Sequence, residues 1–124
     1  MDRQRNGARR SMRTITDLSP YEQRVLSDLR QEIARRLPEL RFRMTVFGSR
    51  ARDDAEADSD IDVLLAVETD RLAFPDKRPL REIASEISLA SGIILSLLVV
   101  DRQTMRERGD FSLFENIRDE GIAV

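Results

Sequence analysis

Phe47-Gly48-Ser49-Arg50-Ala51-Arg52, and then, with ten residues separating Ser49 from it, Asp60-Ile61-Asp62-Val63, is the stretch on which the reading of this sequence turns. In a strand, successive side chains take opposite faces. Asp60 and Asp62 therefore share a face while Ile61 and Val63 enter a core. Two neighbouring carboxylates repel and raise each other's pKa, and a hard divalent cation such as Mg2+ removes the conflict. Mg2+ keeps much of its water and is held by a few carboxylates together with substrate phosphates, so the pair points to a phosphate-bearing ligand. Gly48-Ser49 supplies the complementary half. Glycine lets the backbone approach a phosphate closely, and a turn into a short helix presents free N–H groups. The Ser49 hydroxyl can bond a terminal phosphate oxygen, and Arg50 and Arg52 can reach phosphate oxygens in bidentate fashion.

The flanking patterns set this stretch in a layered fold. Upstream, Ser19 is a helix cap, Pro20 fits the first helical position and Glu22 completes a capping box. Tyr21, Val25, Leu26, Leu29, Ile33 and Leu37 then follow at helical spacing, and Pro38 ends the helix. Arg41 to Phe47 alternates as a half-buried strand, with Phe42, Met44 and Val46 on one side. An acidic loop runs from Asp53 to Asp58, and Ile61 to Val67 is a second strand. Phe74 to Pro79 reads as a loop with two prolines, and Leu80 to Ala90 as a helix closed by Gly92. Ile93 to Val100 reads as a central strand. Asp101 is placed to cap a short helix through Glu107. After Gly109, Phe111 to Arg118 is amphipathic, so Phe111, Phe114 and Ile117 are expected either to close the core or to meet a partner. The expected fold is α+β, in layers: a small mixed sheet of about three or more strands with helices packed on one face.

Composition narrows the chemistry. The chain has 124 residues with no cysteine and no histidine, which excludes a disulfide scaffold, a Cys/His zinc site and any hydrolase with a histidine base. Carboxylates, hydroxyls, arginines and a hard metal ion remain. No apolar run approaches the roughly 18 residues of a membrane span. No secretory signal is visible, and a cytoplasmic protein is expected. The net charge of −2 conceals a head, Met1 to Arg13, of net +4. Residues 1–16 are read as a basic, disordered tail and 17–124 as one domain. The tail could bind nucleic acid, but a solvated terminus is the simpler reading.

Gly-Ser, ten residues and Asp-x-Asp on a strand resembles the signature of the DNA polymerase β-like nucleotidyltransferase superfamily. The nearest likeness is to its minimal nucleotidyltransferases (MNT), short proteins often paired with HEPN-domain partners in toxin–antitoxin operons. Gly48-Ser49-Arg50-Ala51-Arg52 and Ser59-Asp60-Ile61-Asp62-Val63 carry the resemblance, and Phe114-x-x-Ile117-Arg118-x-Glu120-Gly121 extends it to the end of the sequence. It implies binding of ATP with Mg2+ and transfer of a nucleoside monophosphate to a hydroxyl acceptor, for instance on a partner toxin. Asp60 and Asp62 would be the catalytic, metal-holding pair, with Gly48, Ser49, Arg50 and Arg52 on the nucleotide. A HEPN-type partner or a second copy of the chain would complete the site. Two departures stand out. Asp53 occupies a position where many members have glycine. The family's third carboxylate, on a later strand, is matched by register with Ser96, while the next acid, Asp101, lies past the strand end. That substitution bears on rate more than on ATP binding. It leaves open a degenerate nucleotidyltransferase fold that acts as a binding or antitoxin module without transfer.

Overall fold

The structure is a computed structural model that describes residues 13–52 and 60–124. Its first long helix, α1 (Pro20–Arg36), starts at the capping box: the Glu22 N–H donates to Ser19 Oγ at 3.1 Å, and the Ser19 N–H donates to the Glu22 carboxylate at 2.9 Å. Val25, Leu26, Leu29 and Ile33 form its buried stripe, and Tyr21, at the head of that stripe, remains half-exposed. β1 (Phe42–Phe47) leads through Gly48 into a single helical turn, α2 (Ser49–Arg52). Then come β2 (Ile61–Val67), α3 (Phe74–Ser91), β3 (Leu95–Val100), α4 (Arg102–Arg108), α5 (Ser112–Glu120) and β4 (Ile122–Ala123).

The four strands form one mixed sheet in the order β3-β2-β1-β4. β1 is antiparallel to both β2 and β4, and β2 runs parallel to β3 through the α3 crossover. Period-two alternation divides the sheet into two faces. Met44 and Val46, Ile61, Val63, Leu65 and Val67, and Leu95 and Val99 pack beneath α1 and α3 as the main core. Each such side chain removed from water contributes roughly 1.5–3 kcal/mol. On the other face Leu64 and Val100 are covered by Phe114 and Ile117 of α5, with Met105 beside them. The C-terminal segment therefore closes a second, smaller core, although Phe111 itself stays 55% exposed. The layered α+β architecture and mixed sheet are as expected, but helices cover both faces rather than one, because Leu64 and Val100 leave an apolar patch that Phe114 and Ile117 bury.

Two elements differ from the sequence reading. The expected loop from Phe74 to Pro79 is the start of α3, with Pro75 in its first turn and Pro79 inside the helix. Pro79 gives up only the bond to the carbonyl four residues earlier. Burial of Leu80, Ile83 and Ala84 immediately beyond holds the helix continuous across it. β4 is two residues long, too short for any alternation to reveal. It is admitted by Gly121, where a Cβ would stand 2.4 Å from Thr45 Cγ2 and 2.5 Å from the Ile117 carbonyl oxygen.

Asp101 caps α4 as its position suggests, accepting from Thr104 N–H at 2.8 Å, and it also accepts from Leu72 N–H at 2.8 Å. These two backbone donors, Leu72 first, hold its pKa well below the usual carboxylate range, at about 2. A carboxylate depressed on folding contributes stability that is fully present above the unfolded pKa of about 4 and is lost as pH falls from there through the folded value. Asp101→Ala should therefore destabilise the fold by about 1–3 kcal/mol at pH 7 in urea denaturation. The gap from wild type should narrow at pH 3. A gap that is constant across this range would show that the carboxylate charge is not what the two amides hold.

Candidate active site

The sheet register brings the sequence-predicted residues to one end of the second face. Phe47 pairs with Asp62, so Gly48 leaves β1 directly beside that carboxylate, and Asp62 pairs on its other side with Ser96 of β3. Asp60 immediately precedes β2, and the Ser96 hydroxyl donates to its Oδ2 at 3.1 Å. Asp60 is exposed and Asp62 half-buried, while Ile61 and Val63 between and beyond them are buried, as the alternation requires.

Gly48 decides the geometry of this corner. Its φ is +74°, and a Cβ built on it would lie 2.4 Å from Asp62 Oδ2. The glycine is thus needed twice, for a left-handed turn and for the space that the carboxylate occupies. Beyond it α2 begins at Ser49, and Ala51 of that turn is buried in the core.

Burial, and after it the charge of Asp60, pushes the Asp62 carboxyl up, while Arg52 pulls it down. A divalent cation shared by the two carboxylates would relieve that strain, and an all-oxygen donor pair suits a hard ion such as Mg2+. The residues present therefore fit the cation that a nucleotide site requires. Among the described residues no third Asp, Glu, His or Cys joins the pair to form a metal-binding group. The next acid along β3, Asp101, is five residues from Ser96, about 16 Å along a strand, and its oxygens are taken by backbone amides.

The two arginines part company. Arg52 acts electrostatically on Asp62 and lies 4.0 Å from Glu120. Arg50 turns toward the start of α1, where its guanidinium pairs with Glu22. The sequence reading had Glu22 only as a capping residue. A pairing across 28 positions leaves no local signal, so its second role was not legible. The acidic loop from Asp53 to Asp58 lies outside the described residues. A surface cleft of about 430 Å3, lined by Arg36, Leu37, Pro38, Glu39 and Leu40, sits at the other end of α1 and holds no comparable convergence of groups.

The family model described as a nucleotidyltransferase domain matches residues 26–120. The chain belongs to this family. A Methanocaldococcus jannaschii protein named "Putative protein adenylyltransferase" is 27% identical to this nucleotidyltransferase over 100 residues, covering 81% of this chain and 95% of that protein. No solved structure matches significantly. The family match and the likeness to this relative support an MNT-type nucleotidyltransferase. Among the described residues of this nucleotidyltransferase, no helix is long and apolar enough to cross a membrane.

Proposed function

We propose that this nucleotidyltransferase binds ATP with Mg2+ and transfers AMP to a hydroxyl group on a second protein, with a HEPN-type toxin as the candidate acceptor. The observation that carries the reading is the closeness of Gly48 to Asp62, whose Oδ2 would lie 2.4 Å from a Cβ at position 48; it supports reading the turn as phosphate-binding and the carboxylate pair as cation-binding. The acceptor class is supported by the name of the M. jannaschii relative. Asp60 and Asp62 would hold the cation. When bound, it offsets phosphate charge and lowers the pKa of the attacking hydroxyl. The Ser49 hydroxyl and its backbone N–H hold the β- and γ-phosphates, and Arg52 supplies positive charge beside the pair. The acceptor oxygen attacks the α-phosphorus in line. A new P–O bond forms, the bond to the bridging oxygen breaks, and pyrophosphate leaves with its electron pair. Ser96 offers no carboxylate to take the hydroxyl proton, which passes to water. Incubation with α-labelled ATP, Mg2+ and the partner tests this: label on the partner supports the reading, and none on any protein opposes it.

The Ser96–Asp60 hydrogen bond favours a second reading, a binding module that holds nucleotide and partner without transfer. Ser96→Asp discriminates between the two. General-base assistance is worth about 10²–10⁴-fold, so the variant should speed label transfer on that scale while ATP affinity changes little. Fast transfer by wild type that Ser96→Asp abolishes would show that position 96 is not the third-acid position.

A further inference from the structure

We infer that the segment from Arg13 to Glu22 is a strap that positions the phosphate-binding turn, with Arg13 and Glu22 as its holding residues; this rests on the reading of Gly48-Ser49 given above. The turn cannot hold itself. α2 is one helical turn, and its Arg52 N–H donates to the Gly48 carbonyl at 3.3 Å. A helix of four residues does not by itself offset the entropy of fixing a first turn. Its carbonyls are also gripped from outside. Arg13 Nη1 donates to the carbonyls of Arg50 at 3.0 Å and Ala51 at 2.7 Å, and Nη2 donates to the Asp17 carbonyl at 3.3 Å. The planar guanidinium thereby bridges the turn and the short 3-10 helix Ile15–Asp17, which has its own capping box from Thr14 to Asp17. Residues 13–16, read from sequence as the end of a tail, are fixed here by these bonds; residues 1–12 lie outside the described residues.

The second grip is ionic. One Glu22 oxygen takes the Ser19 N–H of the capping box, and the other pairs with Arg50. The Arg50 and Glu22 side chains are only 12% and 13% exposed. Arg50 thus acts through its neighbour as a holder of the turn, and Ser49 next to it is the residue left to meet phosphate. A displacement of about 1 Å in such a site can cost about 10²-fold, which gives the strap its leverage.

Glu22→Gln isolates the ionic grip, because glutamine also serves a capping box. Arg13→Ala removes the other grip outside any long helix, and Arg13→Lys restores one donor. Titration of Mg-ATP should show affinity lowered about 5–20-fold in Glu22→Gln and Arg13→Ala, with partial recovery in Arg13→Lys. Amide exchange should quicken at Ala51 and Arg52 while Leu26 and Val63 stay protected, a pattern that a general loss of stability would not produce. ATP affinity within twofold of wild type in both variants would overturn the strap, as would unchanged exchange at residues 51 and 52. If wild type binds no ATP, the reading of the site fails, and the exchange pattern alone decides the strap. If Glu22→Gln does not fold, Arg13→Ala decides it.

Discussion

Asp62→Asn is expected to melt at a higher temperature than wild type in EDTA and to lose the stabilisation that Mg2+ gives wild type. Without a cation, Asp62 pairs a partly buried charge with the charge of Asp60, and both effects oppose its ionised form. The amide removes one of the two charges and keeps the shape. With a cation at about 100 times its dissociation constant, wild type should gain about 2.7 kcal/mol. That is a rise of several degrees for a domain of this size. The variant should gain almost none of it. Scanning calorimetry with and without Mg2+ checks the crossing. Equal shifts in the two proteins would place the cation elsewhere.

Gly48→Ala should abolish nucleotide binding, whereas Gly92→Ala, at a glycine of almost the same backbone angle, should leave it intact. Both residues are left-handed, with φ of +74° and +78°, so both variants incur the steric cost of a Cβ there, about 1–2 kcal/mol. Their surroundings differ. At Gly92 nothing lies within 4 Å of the added methyl, while at Gly48 it would sit 2.4 Å from Asp62 Oδ2. The carboxylate must move, and with it one of the two proposed cation ligands. Loss of even an outer-shell partner of a metal ligand costs about 10–100-fold, so displacing the ligand itself should weaken Mg-ATP binding by at least about 100-fold. Melting curves should fall in both variants, further in Gly48→Ala, and only Gly48→Ala should fail to bind. Equal binding by both would separate the turn from the carboxylate pair.

The parts of the molecule legible in its sequence are those whose physics is local. The capping box at Ser19, the alternation through β1 and β2, and the cap at Asp101 each depend on spacing over a few residues, and each is found in the structure. The register that sets Ser96 opposite Asp62 followed from alternation along β3 together with the family pattern. The features that were not legible depend on distant contacts. Tertiary burial of Leu80 and Ile83 carries α3 through Pro79 against the local preference. β4 exists because Gly121 lets two residues reach β1. Arg50 is paired with Glu22, which no pattern around either residue announces. At the site, the sequence supplied the chemistry of the pair, and the positive φ of Gly48 with its proximity to Asp62 came only with the fold.

The central claim is that Asp60 and Asp62 hold a cation against a nucleotide seated on Gly48-Ser49. Isothermal titration of ATP into wild type and into the double variant Asp60→Asn/Asp62→Asn, each with Mg2+ and with EDTA, tests it most directly. The account predicts binding by wild type in Mg2+ and at least about 100-fold weaker binding in the other three titrations. Equal affinity in all four would contradict it.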